Sequence, residues 1–345
     1  SSVQVQKHTH NIDTDGKCTE CGAAFGASVT AQGSVSYYDT IDSAFAAAHE
    51  GDTVTLLANI TTFESNTCVS GGPYIFDLNG HQIAARGKEL VVGNDVRGKL
   101  TVKDSSENHT GYVQYLKLQS GDLTVESGSF HQIIETGSDS VGTITVKGGT
   151  FVNYDPSKGD DHLGDNFVPA GYSVITETKA NGDVWYTVVS NSNSEGLKTV
   201  LANGGKLTVS EKIETNNSGD NAADRVIISK PTTLNLNAKI VFPNNMGNNN
   251  TNFCALIVDA DTTINAGENG GIDTGVNGGY GINVRNGATL TINDGSYYGG
   301  GTAVQVQKGT LIINGGHFAC EPYSNPDYGY EFLINCIDAA YKDGS

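Results

Sequence analysis

Residues 123–130, which read Leu-x-Val-x-x-Gly-Ser-Phe, decide the fold because the sequence repeats this stretch. It returns with conservative changes at 144–151, 290–297 and 311–318. Within each pair the two copies lie 21 residues apart, a spacing typical of solenoids, in which each repeat buries its apolar side against the next repeat. The stretch therefore predicts a stack of short strands.

Each position of the repeated stretch has a physical role. Side chains at i and i+2 of a strand share one face, so Leu123 and Val125 should face the interior while Thr124 faces solvent. Gly128 turns a corner where a Cβ would clash, and Phe130 begins the next side with a buried ring. Stacking should also align asparagines beside the turns into hydrogen-bonded ladders, for which the candidates are Asn79, Asn237, Asn293 and Asn314.

Composition agrees with a β-rich chain. The 345 residues include 44 glycines and 7 prolines, and alternating Val, Ile, Leu and Thr between the turns favours short strands. The net charge of −18 argues against binding nucleic acid or anionic membrane surfaces. No stretch approaches the roughly 20 apolar residues that span a bilayer, so we expect no membrane insertion.

The chain resembles two tandem copies of one domain. A short helix at 40–48, capped by Asp39 or Thr40, precedes a strand at 53–57, and the same order returns with a helix at 195–202 and a strand at 206–209. Aligned positions are offset by 153 residues at the start and by 167 at the repeated stretches. Small loop insertions in the second copy would produce this growing offset.

We predict an all-β protein with the fold of a right-handed parallel β-helix, in two tandem copies that each begin with a short capping α-helix. A sandwich of regular hairpins is the alternative, which the irregular loops fit less well. We assign residues 1–30 to an N-terminal His/Cys module or linker and 31–190 to the first β-helix domain, closed by a hairpin. Residues 191–345 form the second domain, which stops within a repeat, so we expect the natural protein to continue.

The sharpest local signal is His8-x-His10 followed by Cys18-x-x-Cys21. Two imidazoles and two thiolates on a short segment can form a tetrahedral zinc site, with Cys-x-x-Cys as one edge. Four protein ligands would leave no open position, so such a zinc ion would be structural. The alternatives are a Cys18–Cys21 disulfide or thiols with unrelated histidines.

Two further groups of residues are candidates for ligand binding. The first could bind calcium, although its spacing lacks an EF-hand pattern and a solvated loop is the more usual explanation: Asp155, Asp160, Asp161 and Asp165. The second consists of tyrosines in the second copy, since exposed tyrosine is favoured at recognition surfaces: Tyr298, Tyr323, Tyr328 and Tyr330.

The remaining four cysteines lie outside this motif. Cys68 and Cys254 lie in apolar surroundings and are predicted to be buried thiols. Cys320 and Cys336 are 16 residues apart, and spacing alone leaves open whether they are bridged.

Several stretches resemble the β-helical, pectin-lyase-like surface modules of gut Gram-positive bacteria. They are HTHNIDTDGKCTECG at 8–22, GDTVTLL at 51–57, DLNGH at 77–81, TVKGGTF at 145–151 and FVPAGYSV at 167–174. The resemblance implies an extracellular protein, secreted or attached to the cell wall. It also implies an adhesin-like role, with binding of host immunoglobulin in some similar proteins.

We therefore predict a non-catalytic, monomeric surface protein that binds a host protein, such as immunoglobulin, or a glycan. The alternative from another class is a polysaccharide lyase or a glycoside hydrolase on the same scaffold. Glycoside hydrolysis needs two carboxyl groups at a set separation, which Asp160 and Asp161 could supply only with substrate-holding residues nearby.

Overall fold

The computed structural model describes residues 10–13, 16–62, 65–85, 87–107, 109–135, 142–158, 166–191, 194–214, 226–242, 254–275, 279–320 and 332–336. In this part of the chain the protein is all-β, with two short α-helices and mainly parallel sheets. Internal contacts divide it into two compact units, Ser1–Phe167 and Val168–Ser345.

The described part of the first unit contains thirteen strands and one helix. They are β1 (Ala27–Ala31), β2 (Ser34–Tyr38), α1 (Ile41–Ala47), β3 (Thr53–Leu56), β4 (Thr67–Val69), β5 (Gly71–Asp77), β6 (Gln82–Ile83), β7 (Leu90–Val92), β8 (Gly98–Lys103), β9 (Tyr112–Leu118), β10 (Gly121–Val125), β11 (Ser129–Glu135), β12 (Gly142–Val146) and β13 (Thr150–Val152).

In the second unit the described residues form seventeen strands and one helix. They are β14 (Tyr172–Thr178), β15 (Val184–Ser190), α2 (Glu195–Asn203), β16 (Gly205–Val209), β17 (Ile213–Glu214), β18 (Val226–Ile228), β19 (Thr232–Leu236), β20 (Lys239–Val241), β21 (Cys254–Val258), β22 (Thr262–Ala266), β23 (Gly271–Asp273), β24 (Tyr280–Val284), β25 (Ala288–Ile292), β26 (Ser296–Gly299), β27 (Thr302–Val306), β28 (Gly309–Ile313), β29 (His317–Cys320) and β30 (Phe332–Cys336).

The first unit starts with an antiparallel pair and continues as parallel sheets. β1 pairs antiparallel with both β2 and β3. From β3 onward one sheet runs β3-β5-β8-β10-β12 with every pair parallel. A second parallel sheet runs β4-β7-β9-β11-β13, and the long β9 also pairs with β6.

The second unit combines an antiparallel hairpin with three parallel sheets. β14 and β15 form an antiparallel hairpin, and β14 also pairs antiparallel with β16. From β16 onward the strands enter three sheets in turn, so that each strand from β19 to β27 pairs in parallel with the third strand before it and the third strand after it. The sheets are β16-β19-β22-β25-β28, β17-β20-β23-β26-β29 and β18-β21-β24-β27-β30.

The repeated stretches lie in register on one another. Leu123 pairs with Ile144 and Leu290 pairs with Leu311. Leu123 and Val125 are fully buried while Thr124 is half-buried, which confirms the predicted alternation. The ring position also stacks, since the Phe130 and Phe151 centroids are 5.2 Å apart and those of Tyr297 and Phe318 are 5.2 Å apart.

Glycine marks the corner before each of these strands in the first unit. Gly98, Gly121 and Gly142 are register partners. Gly121 has a φ of +114°, and a Cβ there would lie 1.8 Å from the carbonyl oxygen of Gly98. Close stacking of backbone on backbone at this corner therefore requires glycine.

Both predicted helices are present. Thr40 is the N-cap of α1, and its side chain accepts a hydrogen bond from the Ser43 backbone N–H. Ser194 occupies the N-cap position of α2 without a side-chain capping bond, and Gly204 ends the helix with a φ of +69°. Each helix buries an apolar face immediately before the first strand of a parallel sheet.

The predicted hairpin at 172–190 forms as an antiparallel pair of strands, β14 and β15. Internal contacts group it with the unit that begins at Val168. There β14 pairs with the first parallel strand, β16, as β1 pairs with β3 in the other unit. Alternation of apolar residues predicts a hairpin but does not specify which strand it borders.

Candidate metal centre

A tight turn near the N-terminus holds the predicted cysteines. The backbone N–H of Cys18 donates to the Ala23 carbonyl at 2.7 Å, and the N–H of Gly22 donates to the Cys18 carbonyl at 2.8 Å. Gly22 has a φ of +73°, and a Cβ at this position would meet no atom within 4 Å. The glycine after the second cysteine thus supplies the left-handed residue that closes the loop.

Three of the four predicted metal ligands meet at this turn. His10, Cys18 and Cys21 each offer one ligand atom, and these atoms all lie within 4.8 Å of one another. The Sγ of Cys21 lies 3.6 Å from Nδ1 of His10. Cys18 is buried and Cys21 is exposed, so the group lies at the protein surface. The fourth predicted ligand, His8, lies outside the described residues.

The imidazole of His10 is held by the first unit. Its ring packs edge-on against Phe25, with centroids 4.9 Å apart, and against Tyr37, with centroids 5.4 Å apart. The Tyr37 hydroxyl also donates a hydrogen bond to the His10 carbonyl at 3.3 Å. These contacts fix the ligand turn to β2 rather than leaving it on a free segment.

One distance between the candidate ligand atoms fits a tetrahedral metal site. Zinc binds cysteine sulfur at about 2.3 Å and histidine nitrogen at about 2.0–2.1 Å, so ligand atoms in a tetrahedron lie roughly 3.5–3.8 Å apart. The 3.6 Å between Cys21 and His10 falls in that range. The donor set of sulfur and imidazole nitrogen is one that zinc prefers.

The predicted aspartate group is only partly within the described chain. Oδ1 of Asp155 accepts hydrogen bonds from the Ser157 N–H at 3.0 Å and its hydroxyl at 2.6 Å, and Oδ2 lies 3.3 Å from the Lys158 ammonium. This carboxylate therefore stabilises its own turn. Asp160, Asp161 and Asp165 lie outside the described residues.

One of the four predicted tyrosines is described. Tyr298 is half-buried in β26, between its register partners Asp273 and Ala319. Its carbonyl accepts a hydrogen bond from the Thr274 N–H at 3.2 Å. Tyr323, Tyr328 and Tyr330 lie outside the part of the chain that the structure describes.

The burial predicted for two cysteines outside this turn is confirmed for one and wrong for the other. All six are thiols, with no disulfide among them. Cys254 is buried as predicted, but the prediction for Cys68 was wrong because its side chain is exposed. In β4 the neighbours Thr67 and Val69 take the interior positions, so the alternation of the strand places Cys68 outside.

A ladder of amides on the second unit differs from the predicted one. Each asparagine side chain donates from Nδ2 to Oδ1 of the preceding member, at 2.9, 2.6 and 2.8 Å, along Asn235, Asn265, Asn293 and Asn314. Asn237 is not a member. Asn79 instead donates to the Leu56 carbonyl at 3.3 Å, because its φ of +48° turns it into the corner.

Sequence reasoning also missed two buried carboxylates in the first unit. Asp77 accepts from the N–H groups of Asn79 and Ser105. Asp104 accepts from the N–H groups of Gly80, Ser106 and Gly111, the last at 2.6 Å. Both side chains thus fix turns, and Asp-x-Asn-Gly at 77–80 is the signal that could have predicted this role.

Comparison of the chain with protein-family models, curated proteins and solved structures gave no match. The described residues also include no helix of the length and apolar character needed to cross a membrane.

Proposed function

We propose that the chain is a non-catalytic extracellular surface protein, adhesin-like, that binds a host protein or a glycan. Its scaffold in this proposal is a right-handed parallel β-helix in two tandem copies, and a structural zinc ion holds its N-terminal turn. The resemblance to surface modules supports the extracellular location, whether secreted or attached to a cell wall.

The strand registers support both the β-helix and the tandem copies. Each strand pairs in parallel with the equivalent strand of the preceding circuit of the chain. We call one such circuit a coil. In the first unit an inward-facing column runs Val54, Phe76, Val102, Val125 and Val146. In the second it runs Leu207, Leu234, Ile264, Ile292 and Ile313. Matching members differ by 153, 158, 162, 167 and 167 residues, the same offsets as in the sequence alignment.

The observation that carries the binding function is a regular polar face on the second unit. Outward side chains of successive strands form one column of threonines, Thr233, Thr263 and Thr291, beside the asparagine ladder. These three threonines line a shallow groove of about 510 Å³ together with Asp261 and Thr289. Hydroxyl and amide groups repeated at the strand spacing of about 4.8 Å suit an extended polar ligand.

Binding by this face is tested with the full chain immobilised and exposed to host secretions and to a glycan array. The double variant Thr263→Lys with Thr291→Lys places long cations in the groove. It should lower binding at least about tenfold, or about 1.4 kcal/mol. The matched control, Thr101→Lys with Thr124→Lys, changes equivalent positions of the first unit and should bind normally. Equal binding by both variants would place the ligand elsewhere.

The proposed zinc site predicts one zinc per chain. Cys21→Ser should lose most of the metal because a thiolate ligand is removed, whereas Cys68→Ser changes another exposed thiol and should keep it. Zinc is measured by mass spectrometry on protein purified without chelator. Chelation should lower the melting temperature, since metal binding adds to folding free energy. A metal-free protein with a Cys18–Cys21 disulfide would refute the site.

The enzyme alternative keeps a separate test. Glycoside hydrolysis needs a pair of carboxyl groups, and the buried carboxylates Asp77 and Asp104 have oxygens occupied by backbone N–H groups. A screen for polysaccharide depolymerisation, compared with the variant carrying Asp160→Ala and Asp161→Ala, decides between the classes. Activity that disappears in the double variant would replace our proposal.

A further inference from the structure

Outward-facing polar side chains form columns on the sheet β16-β19-β22-β25-β28. In the middle column Thr263 of β22 lies directly opposite Thr291 of β25. Two residues later along each of these strands stands a member of the asparagine ladder. Two residues earlier stand Asp261 and Thr289, which line the groove together with the threonines. The threonine column therefore has polar groups on both sides at successive strands.

These polar groups have hydrogen-bonding capacity left for a ligand. The hydroxyls of Thr263 and Thr291 bond to no protein group in the described part of the chain. An asparagine amide carries two N–H donors, and Asn265 and Asn293 each use one of them to bond the preceding member of the ladder. Each of these two strands thus offers one hydroxyl and one further amide N–H on its outward face.

The charge of the groove favours a neutral ligand. Among the described residues that line it, Asp261 is the only ionisable one, and its Oδ1 accepts a hydrogen bond from the Thr289 N–H at 2.8 Å. Lys206 lies opposite Thr233 at the start of the column and is not among the lining residues. The whole chain has a net charge of −18. An anionic ligand would therefore be repelled without meeting a basic partner in the groove.

The spacing of the strands distinguishes a glycan from a polypeptide. Neighbouring strands lie about 4.8 Å apart, whereas an extended polypeptide advances by about 3.3 Å per residue. A peptide lying along the column would therefore be out of register with the second threonine. An extended chain of equatorially linked pyranoses advances by nearly one strand spacing for each sugar. Every ring of such a chain meets the same pair of protein groups.

We propose that the groove binds one neutral, linear glycan of β-1,4-linked pyranoses, which runs along the threonine column with one sugar per strand. Each ring places hydroxyls against a threonine Oγ1 and the remaining amide N–H of the same strand. The threonines belong to the successive strands β19, β22 and β25, and the ladder continues to Asn314 after β28. The polar columns therefore extend over four strands. This inference rests on the proposed function and selects its glycan form.

The probes are oligomers of β-1,4-linked mannose with two to six residues, titrated into the full chain by isothermal calorimetry. Affinity should rise at least about threefold for each sugar from two to four, because each ring adds hydrogen bonds. From four to six sugars it should stay within about twofold, since the additional rings pass beyond the polar columns. Oligomers of β-1,4-linked mannuronate add a carboxylate to each ring and should bind at least about tenfold more weakly.

Removal of hydroxyls from the column should weaken the binding of mannose oligomers. The double variant Thr263→Val with Thr291→Val keeps the shape and strand preference of both side chains. It should lower the affinity for the four-residue oligomer at least about tenfold. The matched control, Thr101→Val with Thr124→Val, changes two outward threonines that face each other in the first unit. Its affinity should stay within about twofold of the original protein, and melting temperatures show whether each variant is folded.

Three results would overturn the inference: affinity that does not depend on oligomer length, equally tight binding of mannuronate oligomers, or unchanged affinity in the double valine variant. Capture of a host protein that is lost in Thr263→Lys with Thr291→Lys, with no mannose oligomer bound, would also overturn it. That result would leave the protein-binding form of the proposed function in place. Mannose oligomers bound as expected, with nothing captured from host secretions, would support the inference and contradict only the binding of a host ligand.

Discussion

At the scale of single residues, Tyr297 is the polar exception at the ring position of the repeated stretch. The repeated stretch has phenylalanine at the equivalent positions 130, 151 and 318. Tyr297 is buried, and its hydroxyl donates to the Asp294 carbonyl at 2.7 Å. Burial, and to a lesser extent the nearby Asp294 charge, raises the pKa of its phenol above the ordinary 10.0.

This shift gives a pH dependence with a definite sign. The folded protein holds Tyr297 protonated, while the unfolded chain loses this proton near pH 10. The contribution of this pKa difference to the stability of the fold is therefore complete below pH 10 and is lost as the pH rises further. Tyr297→Phe should cost about 1 kcal/mol at neutral pH through the lost hydrogen bond, yet should reduce the alkaline loss of stability. Urea unfolding at several pH values measures both effects. Tyr298→Phe is the control, and an unchanged alkaline slope in Tyr297→Phe would contradict the assignment.

Gly121 tests the backbone stacking at the corners. Gly121→Ala would place a Cβ 1.8 Å from the Gly98 oxygen, whereas Gly33 has a φ of +81° and no atom within 4 Å of a Cβ. Gly121→Ala and Gly33→Ala should each lower the free energy of unfolding by about 1–2 kcal/mol through left-handed backbone strain. Only Gly121→Ala should lose at least about 2 kcal/mol more through the clash. Equal melting temperatures for the two variants would contradict this expectation.

At the scale of elements, the amide ladder joins strands that lie far apart in the sequence. Asn265 takes part in two hydrogen bonds of the ladder, since it donates to Asn235 and accepts from Asn293. Asn265→Ala should cost about 1–2 kcal/mol, because each half-exposed hydrogen bond contributes modestly. Asn237→Ala, an exposed position outside the ladder, should cost less than about 0.5 kcal/mol. Chemical denaturation measures the difference, and equal costs would show that the ladder adds nothing.

The sequence predicts which segments are strands and which side chains are buried more directly than it predicts which strands pair. Alternation at Leu123 and Val125 predicts a buried face because the period of a strand is two. The members of the amide ladder could not be predicted from such alternation. Asn235 and Asn265 look like ordinary strand residues, and only the register between distant coils shows that they align with Asn293. The same limit applies to the proposed metal centre, where the motif suggests candidate ligands but only folding brings His10 to Cys21.

At the scale of the whole molecule, each unit is held by contacts between strands paired in register. If these strands form the proposed β-helix, a local loss of packing should remain local. Leu123→Ala should cost about 2–5 kcal/mol and speed hydrogen exchange in β8, β10 and β12, with little change in β22, β25 and β28. Leu290→Ala, the matched change in the second unit, should show the reverse pattern. Faster exchange throughout both units in either variant would mean that they open together.

The distance along the chain between stacked partners has a practical consequence. Register partners such as Val125 and Val146 are separated by 21 residues, whereas Leu234 and Ile264 are separated by 30. The pairing is the same in both cases, so the extra residues leave the stack unchanged. Loop length adds little to the cost of closing such a circuit. The protein should therefore tolerate inserted epitopes or whole domains between its strands, which makes it a scaffold for displaying foreign sequence.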